Sequence, residues 1–443
     1  MQQTYLRFTP EMKSTHTILI PNMLPLHFAM LAAGLECDGY KVEVLGNCGS
    51  QVAQLGLKYV HNDTCYPALL VIGQFLDALQ SGKYDLDKTA LLITQTGGGC
   101  RASNYIHLLR KALQRAGFSH VPVASLNFSG LEKDSGFRLS VPFIRKAVAA
   151  IFYGDLIMSL RNQVSPYEIT KGQAKAMATQ WVDTICDWFR QDKGFHGKEM
   201  KSTFSKIAQD FATIPVVRTP KVKVGVVGEI YVKYSPLGNN NLEEFLASQD
   251  CEVNMPGLLG FVEYCISNMG DTIRLYGGNL AGIWGSEGLL KYLDGFERAA
   301  IDAMKQAGFH APARFLDLRN MTEGIISRGN KMGEGWLLTA EMVELVTSGY
   351  ENIVCAQPFG CLPNHICGKG MISRIRAIYP NANITPIDYD PSATAVNQEN
   401  RIKLMISVGR ERLLEQAQPV QQVPVQEPVA HLNTQLEEIP GVR

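Results

Sequence analysis

Short apolar runs alternate with amphipathic helical patterns along most of the chain. In the first third, the strand-like runs lie at residues 16–20, 41–45, 90–94 and 121–126. In the second half they lie at residues 221–227, 251–255, 352–356 and 384–388. Such alternation is typical of parallel sheets covered by helices on both faces. The pattern therefore predicts an α/β protein with two Rossmann-like or flavodoxin-like parallel-sheet domains.

The strand signal fades between these two halves, where successive helical patterns are followed by a proline-containing linker. A helical segment is therefore expected to join the two domains. The tail is rich in Gln, Pro, Val and Glu without core periodicity, which predicts disorder. The predicted division is a first α/β domain at 1–140, a helical bridge and linker at 141–220, a second α/β domain at 221–410 and a disordered tail at 411–443.

Composition places the chain among ordinary globular proteins. Its 443 residues, 46% of them hydrophobic, suffice for two or three packed domains. Lys+Arg and Asp+Glu are equal at 42 each, which argues against binding nucleic acid or an anionic membrane surface. No apolar signal core opens the chain, and no apolar run approaches the roughly 18 residues of a membrane span. We expect a cytoplasmic protein that does not cross a membrane.

The ten cysteines fall into different contexts. Disulfides rarely persist in the cytoplasm, so their positions need another explanation. Four lie in apolar segments or beside predicted strands and are expected to be plain interior packing: Cys37, Cys186, Cys251 and Cys265. Three others stand at predicted loop-to-helix turns, which makes them candidate ligands: Cys65, Cys100 and Cys361.

The segment LLITQTGGGCRASNY, residues 91–105, carries an apolar strand into three glycines and then Cys100. Free amides and the helix dipole at a helix start favour an anion such as a thiolate. A phosphate loop is the alternative, but neither GxxxxGK[ST] nor GxGxxG is present. Backbone amides near Gly98 and Gly99 are instead expected to face a negatively charged cofactor.

Cys65 in HNDTCYPALL and Cys361 in CAQPFGCLPNHICGKG occupy comparable turns. Because the carboxyl ends of parallel strands share one crevice, distant turns can converge there. Three thiolates without a CxxC pair suit an iron–sulfur cluster with one open iron. Zinc held by Cys361, His365 and Cys367 is an alternative, although the spacings differ from paired knuckles. A third alternative is no metal, with ordinary helix caps and packed cysteines.

Two polar segments contain further candidate functional residues. Residues 228–241 follow a predicted strand and contain Glu229, a candidate acid/base. Its polar alternation favours a simpler interpretation, the solvated side of a continuing strand. Residues 328–342 combine three glycines with Lys331 and Glu334, and form either a phosphate clamp or lid, or a plain loop.

Taken together, several long motifs resemble the carboxy-terminal region of the large activase-related proteins akin to 2-hydroxyacyl-CoA dehydratases and benzoyl-CoA reductases. The resemblance covers residues 1–408 and is carried by LKYVHNDTCYPALLVIGQ, TQTGGGCRASNYIHLLRKAL, VGEIYVKYSPLGNNNLEEFL, KMGEGWLLTAEM and QPFGCLPNHICGKG. It implies a [4Fe–4S] cluster, with a larger cluster as a variant. Cys65, Cys100 and Cys361 match the family's cluster positions, whereas Cys367 does not.

The resemblance also implies partners. An ATP-hydrolysing activase supplies a low-potential electron, and radical chemistry on a thioester or lipid substrate follows. The activase domains that precede this region in the large relatives are absent here, so a separate activase is expected, with a second cluster subunit or self-association. Relatives linked to plasmalogen vinyl ethers in anaerobes make an ester-to-vinyl-ether conversion an alternative. Two other classes stay open: an electron-transfer scaffold and a zinc-stabilised binding protein.

Overall fold

The computed structural model describes residues 5–61, 63–95, 99–127 and 136–417. It contains two four-stranded parallel sheets with the same strand order, β2-β1-β3-β4 and β6-β5-β7-β8. This confirms the predicted α/β class. The strands of the first sheet are β1 Thr17–Ile20, β2 Lys41–Val44, β3 Thr89–Gln95 and β4 Val123–Asn127. Those of the second are β5 Val222–Gly228, β6 Cys251–Asn254, β7 Asn352–Pro358 and β8 Asn383–Tyr389.

Helices cover and connect the sheets. The first half of the chain contains α1 Met12–Thr15, α2 Pro25–Cys37, α3 Ser50–Tyr59, α4 Tyr66–Gln80, α5 Tyr105–Ala116, α6 Val141–Val164, α7 Gln173–Arg190 and α8 Gly197–Ala212. The second half contains α9 Ile230–Tyr234, α10 Pro236–Asn239, α11 Leu242–Ser248, α12 Leu258–Tyr276, α13 Ala281–Gln306, α14 Phe315–Leu318, α15 Trp336–Thr347, α16 Ile372–Ile378 and α17 Ala395–Ala417. Within the described part of the chain, no helix is long and apolar enough to cross a membrane.

The segment after β5 departs from its predicted form. A continuing strand was favoured there, but the strand ends at Gly228 and helix α9 begins at Ile230. The Glu229 carboxylate caps this helix by accepting a hydrogen bond from the Val232 amide at 2.8 Å. Gly228 has φ 151°, and a Cβ there would lie 1.8 Å from the Ala356 carbonyl oxygen, so only glycine permits the turn. The continuing-strand interpretation was therefore wrong.

Other helix boundaries also shift. The predicted helix after Cys361 starts as a π-helical turn, Asn364–Gly368, followed by a 3₁₀ turn before α16. Helix α17 extends to Ala417, beyond the predicted end of the second domain at 410. Residues 418–443, most of the predicted tail, lie outside the described residues.

The helices of residues 141–212 pack with α2, α12 and α13 in a separate apolar core that includes Phe152, Phe204 and Phe296. Asp155 of α6 links this helical layer to both neighbouring domains. Its carboxylate binds His27 Nε2 of α2 at 2.8 Å and accepts from the Leu258 and Leu259 amides at the start of α12, each at 2.8 Å. One half-buried acid thus fixes the helical layer against both α/β halves.

The closest helix contact in the first domain gives a direct test of the fold. A Cβ added at Gly73 of α4 would lie 2.0 Å from the Val52 carbonyl oxygen of α3. We expect Gly73→Ala to destabilise the chain by roughly 1–3 kcal/mol, because backbone must move to admit the methyl group. Unfolding in urea measures this change.

The matched control is Gly288→Ala in α13, where nothing lies within 4 Å of the added Cβ. There the same methyl group should stabilise the helix by about 0.5–1 kcal/mol. Equal effects of the two substitutions would contradict the close packing of α3 on α4.

Candidate functional site

The three turn cysteines each precede helical backbone. Cys65 is the N-cap residue of α4, and Cys100 is the N-cap residue of a 3₁₀ turn, Arg101–Asn104, that leads into α5. Cys361 follows β7, and its carbonyl accepts a hydrogen bond from the His365 amide at 2.9 Å. All three residues are half-buried. The turns predicted from the sequence therefore exist, and each places a thiol beside the first amides of a helical turn, those of Ala68, Ala102 and Asn364.

The three cysteines converge, although they come from both domains. Burial, followed by the nearby Glu229 carboxylate and the Cys100 thiol, raises the pKa of the Cys65 thiol to about 12. Burial also raises the pKa values of Cys100 and Cys361, and Glu229 again contributes to both. A single carboxylate thus acts on all three thiols. The site consequently lies between the two α/β domains.

A second acid, Glu334, completes the group. Its carboxylate accepts hydrogen bonds from the Ile230 amide at 2.9 Å and from Asn364 Nδ2 at 3.2 Å. Next to it, Gly335 has φ 44°, and a Cβ there would lie 2.2 Å from the Asn330 carbonyl oxygen. This tight turn holds Glu334 against the start of α9. Burial, and then the neighbouring Glu334 carboxyl, raise the pKa of Glu229 to about 8.

Two side chains donate to the thiols. Tyr105 Oη lies 3.1 Å from Cys65 Sγ, and Asn364 Nδ2 lies 3.3 Å from Cys361 Sγ. Because the same Asn364 amide group also binds Glu334, it connects a thiol to the acid pair. Hydrogen bonds to the charged form favour a thiolate, so both donors partly oppose the effect of burial.

Sequence reasoning missed Glu334, Tyr105 and Asn364 as members of the site. Glu334 lay in a segment interpreted as a clamp, lid or plain loop, and no signal separated it from Lys331. In the structure, Lys331 Nζ instead donates to Thr272 Oγ1 of α12 and lies 5.3 Å from the centre of the Tyr276 ring. The asparagine could have been found as an amide three residues after a turn cysteine.

Gly98 lies outside the described residues, whereas Gly99 lies at the domain junction. A Cβ at Gly99 would lie 2.9 Å from Met332 Sδ of the second domain. Of the four cysteines expected to pack in the interior, Cys186 and Cys251 are buried, but Cys37 and Cys265 are exposed. The packing prediction was therefore wrong for Cys37 and Cys265, since both helices turn these positions toward solvent.

The described residues contain no group of three His, Cys, Asp or Glu side chains that could hold a single metal ion. A tetrahedral zinc site needs its sulfurs within roughly 4 Å of one another, given Zn–S bonds near 2.3 Å. Cys361, His365 and Cys367 do not form such a site, and the thiols of Cys65, Cys100 and Cys361 do not form one either. Cluster ligands bind different irons and therefore stand further apart than the ligands of one ion.

The donor set suits a cationic iron–sulfur core. Three thiols and two carboxyls share a largely buried space. The Arg101 guanidinium lowers the pKa of the Cys100 thiol, but by less than burial, Glu334 or Glu229 raises it. Burial, the largest cause, raises the pKa of all three thiols and disfavours their thiolate forms. Metal binding requires thiolates, and the positive charge of bound iron offsets the burial of anions. Cys65, Cys100 and Cys361 therefore fit as the protein ligands of a cluster.

No protein-family model matches this chain, and no curated protein shows a significant match to it. The family resemblance stays a prediction. The arrangement of thiols and carboxyls is therefore the structural basis for assigning a function.

The electrostatic coupling at this site can be measured in the metal-free, reduced chain. We expect Glu229→Gln to speed iodoacetamide alkylation of Cys65 at pH 9 by roughly threefold to tenfold, a change of about half to one pKa unit. The reason is that Glu229, with a pKa of about 8, is ionised at this pH and disfavours the thiolate. Peptide mass spectrometry follows each cysteine separately.

The exposed Cys48 serves as the internal reference, and its rate should not change. The glutamine keeps an oxygen that accepts from the Val232 amide, so α9 stays capped. An unchanged Cys65 rate would show that Glu229 does not face this thiol.

Proposed function

We propose that this chain is the iron–sulfur component of an ATP-dependent radical dehydratase or reductase system, with a [4Fe–4S] cluster held by Cys65, Cys100 and Cys361. The observation that carries the proposal is the convergence of these cysteines, from two domains, on the carboxyl of Glu229, with Glu334 also acting on Cys100 and Cys361. The resemblance of the surrounding motifs to the dehydratase and reductase family supports the same assignment.

Three protein ligands leave one iron of a four-iron cluster open. When bound, the cluster supplies low-potential one-electron reduction and a Lewis-acidic iron toward a substrate carbonyl oxygen. Tyr105 and Asn364 orient two of the thiolates through their hydrogen bonds. The backbone around them supplies helical N-terminal amides, which favour the negative charge of a thiolate-ligated cluster.

Glu229 is the acid/base of the proposed site. One carboxylate oxygen caps α9, and the residue as a whole is half-buried. Its pKa of about 8 means that it carries a proton near neutral pH and releases it readily. A group with a pKa near the working pH is well suited to transfer protons to or from a reacting carbonyl compound.

Large apolar side chains around Cys361 favour a hydrophobic substrate. Phe359 and Leu362 are 69% and 68% exposed, and Ile366 and Met332 are 48% and 50% exposed. Exposed apolar groups concentrated at a site mouth are typical of a binding surface. We propose a thioester or lipid ester as substrate. A separate cytoplasmic activase would hydrolyse ATP and supply the electron, and the chain would associate with a second cluster subunit or with itself.

The function is tested by mixing the anaerobically purified chain with a reduced ATP-hydrolysing activase and ATP. We expect acyl-CoA thioesters or ether-lipid ester precursors to accelerate reoxidation of the reduced cluster, followed by its absorbance. Glu229→Gln should slow this step roughly a hundredfold while cluster content stays unchanged, because general acid/base catalysis contributes about that much.

Cys251→Ser is the control, since Cys251 is a buried thiol on β6 and should not affect the cluster. Reoxidation that no thioester or lipid ester accelerates would contradict the enzyme assignment and favour an electron-transfer scaffold. Full turnover by Glu229→Gln would remove Glu229 as the acid/base.

A further inference from the structure

A cavity of about 120 Å³ lies between the helical layer and the second α/β domain. Its walls are largely apolar and include Phe152, Leu156, Met255, Ile301 and Phe315. Four carboxyl side chains line the same space: Asp155, Glu297, Glu341 and Glu344. A small apolar cavity with several acids needs an explanation, because buried carboxylates are costly unless they are paired.

Two of these acids already have partners. Asp155 binds His27 and two amides at the start of α12. Glu341 binds Lys233 through both carboxylate oxygens, at 3.0 and 3.1 Å. These two acids are part of the protein's own ion pairs and hydrogen bonds, and they need no ligand.

The other two lack a cationic partner among the described contacts. Glu297, only 9% exposed, accepts from the Phe315 amide at 2.8 Å through Oε1, while its buried Oε2 has no hydrogen-bond partner. Glu344 accepts one longer bond, from the Ala313 amide at 3.3 Å. The Arg314 guanidinium faces Glu297 but binds Asp317 at 2.8 Å. The cavity therefore contains acceptor capacity that the described side chains leave unused.

Two further carboxyl groups lie beside the cavity. Glu263 of α12 is 1% exposed, its Oε2 has no partner, and the neighbouring Glu297 raises its pKa after burial does. Asp294 of α13 binds Arg298 at 2.6 Å through one oxygen, with Arg314 3.5 Å from the other. His310, which also lines the cavity, has a pKa lowered by burial. Burial raises the pKa values of Glu297 and Glu263, and a cation beside them would favour their ionised forms.

The chemistry of the walls selects the kind of cation. A divalent metal needs three or more donors close together, and the described residues hold no such group. A primary ammonium needs only hydrogen-bond acceptors for its nitrogen and apolar surface for its carbon chain. Cavities of about 150 Å³ admit a molecule the size of benzene, so this smaller cavity suits a chain of a few carbons.

We propose that this cavity, which Glu344 also lines, is a binding site for a small primary alkylammonium ion, with its nitrogen at Glu297 Oε2 and its carbon chain against Phe152, Leu156 and Ile301. The site shares no residue with the cysteine group. Its existence therefore does not depend on the proposed iron–sulfur function.

The test is calorimetric titration of the purified full chain with n-propylammonium chloride at constant ionic strength. We expect saturable binding to one site per chain and a rise in the midpoint of thermal unfolding. Sodium chloride has the charge without the alkyl chain, and propan-1-ol has the chain without the charge. Neither should bind saturably or raise the midpoint of thermal unfolding. Glu297→Gln should weaken binding roughly tenfold to a hundredfold, because it removes the charge and keeps an oxygen for the Phe315 amide.

Glu344→Gln is a second, independent variant in the event that Glu297→Gln fails to fold. The exposed Glu323→Gln is the matched control and should bind as the natural chain does. Equal effects of n-propylammonium and sodium, equal binding of propan-1-ol, or full affinity in both cavity variants would overturn the proposal.

Discussion

The structure depends on one electrostatic constraint, the burial of two carboxyls and three thiols in the same space between its domains. Burial raises the pKa of every one of these groups, and the two acids add to the effect on the thiols. A chain selected only for stability would pair or replace such groups, because unpaired buried charges are destabilising. Their retention in one place is typical of functional sites.

The topology explains how residues so distant in sequence meet. The two sheets have the same strand order, and the turns after β3 and β7 carry Cys100 and Cys361 at the carboxyl ends of their strands. Helix α4 leads back toward the start of β3, so Cys65 at its N-terminus lies on that same side. Two tight turns, at Gly228 and Gly335, then hold Glu229 and Glu334 between the sheets.

Much of this arrangement could be predicted from local pattern. The alternation of apolar runs located the eight described strands within a few residues. Glycines and prolines located the turns at Cys100 and Cys361, and helix-capping residues located the turn at Cys65. Such features depend on neighbours along the chain, which a sequence displays directly. One feature was predicted only from the general rule that the carboxyl ends of parallel strands share one crevice: the approach of Cys65, Cys100 and Cys361 to one another.

The features that escaped prediction depend on contacts across the fold. Glu229 caps a helix where alternating polar residues indicated a strand, and Glu334 reaches the site because its carboxylate binds the Ile230 amide 104 residues away. Asn364 belongs to the site because its side-chain amide contacts both Cys361 Sγ and the Glu334 carboxylate. No local pattern specifies distances between side chains on different domains, and those distances define this site.

The most direct test of the account is Mössbauer spectroscopy of the anaerobically purified chain enriched in ⁵⁷Fe. Three cysteine ligands and one open iron predict a four-iron spectrum in which one iron differs from the other three, and Cys251→Ser should preserve that spectrum. Cys100→Ser should lose it. Four equivalent thiolate-bound irons, or iron that persists unchanged in Cys100→Ser, would contradict the assignment of Cys65, Cys100 and Cys361 as the three ligands.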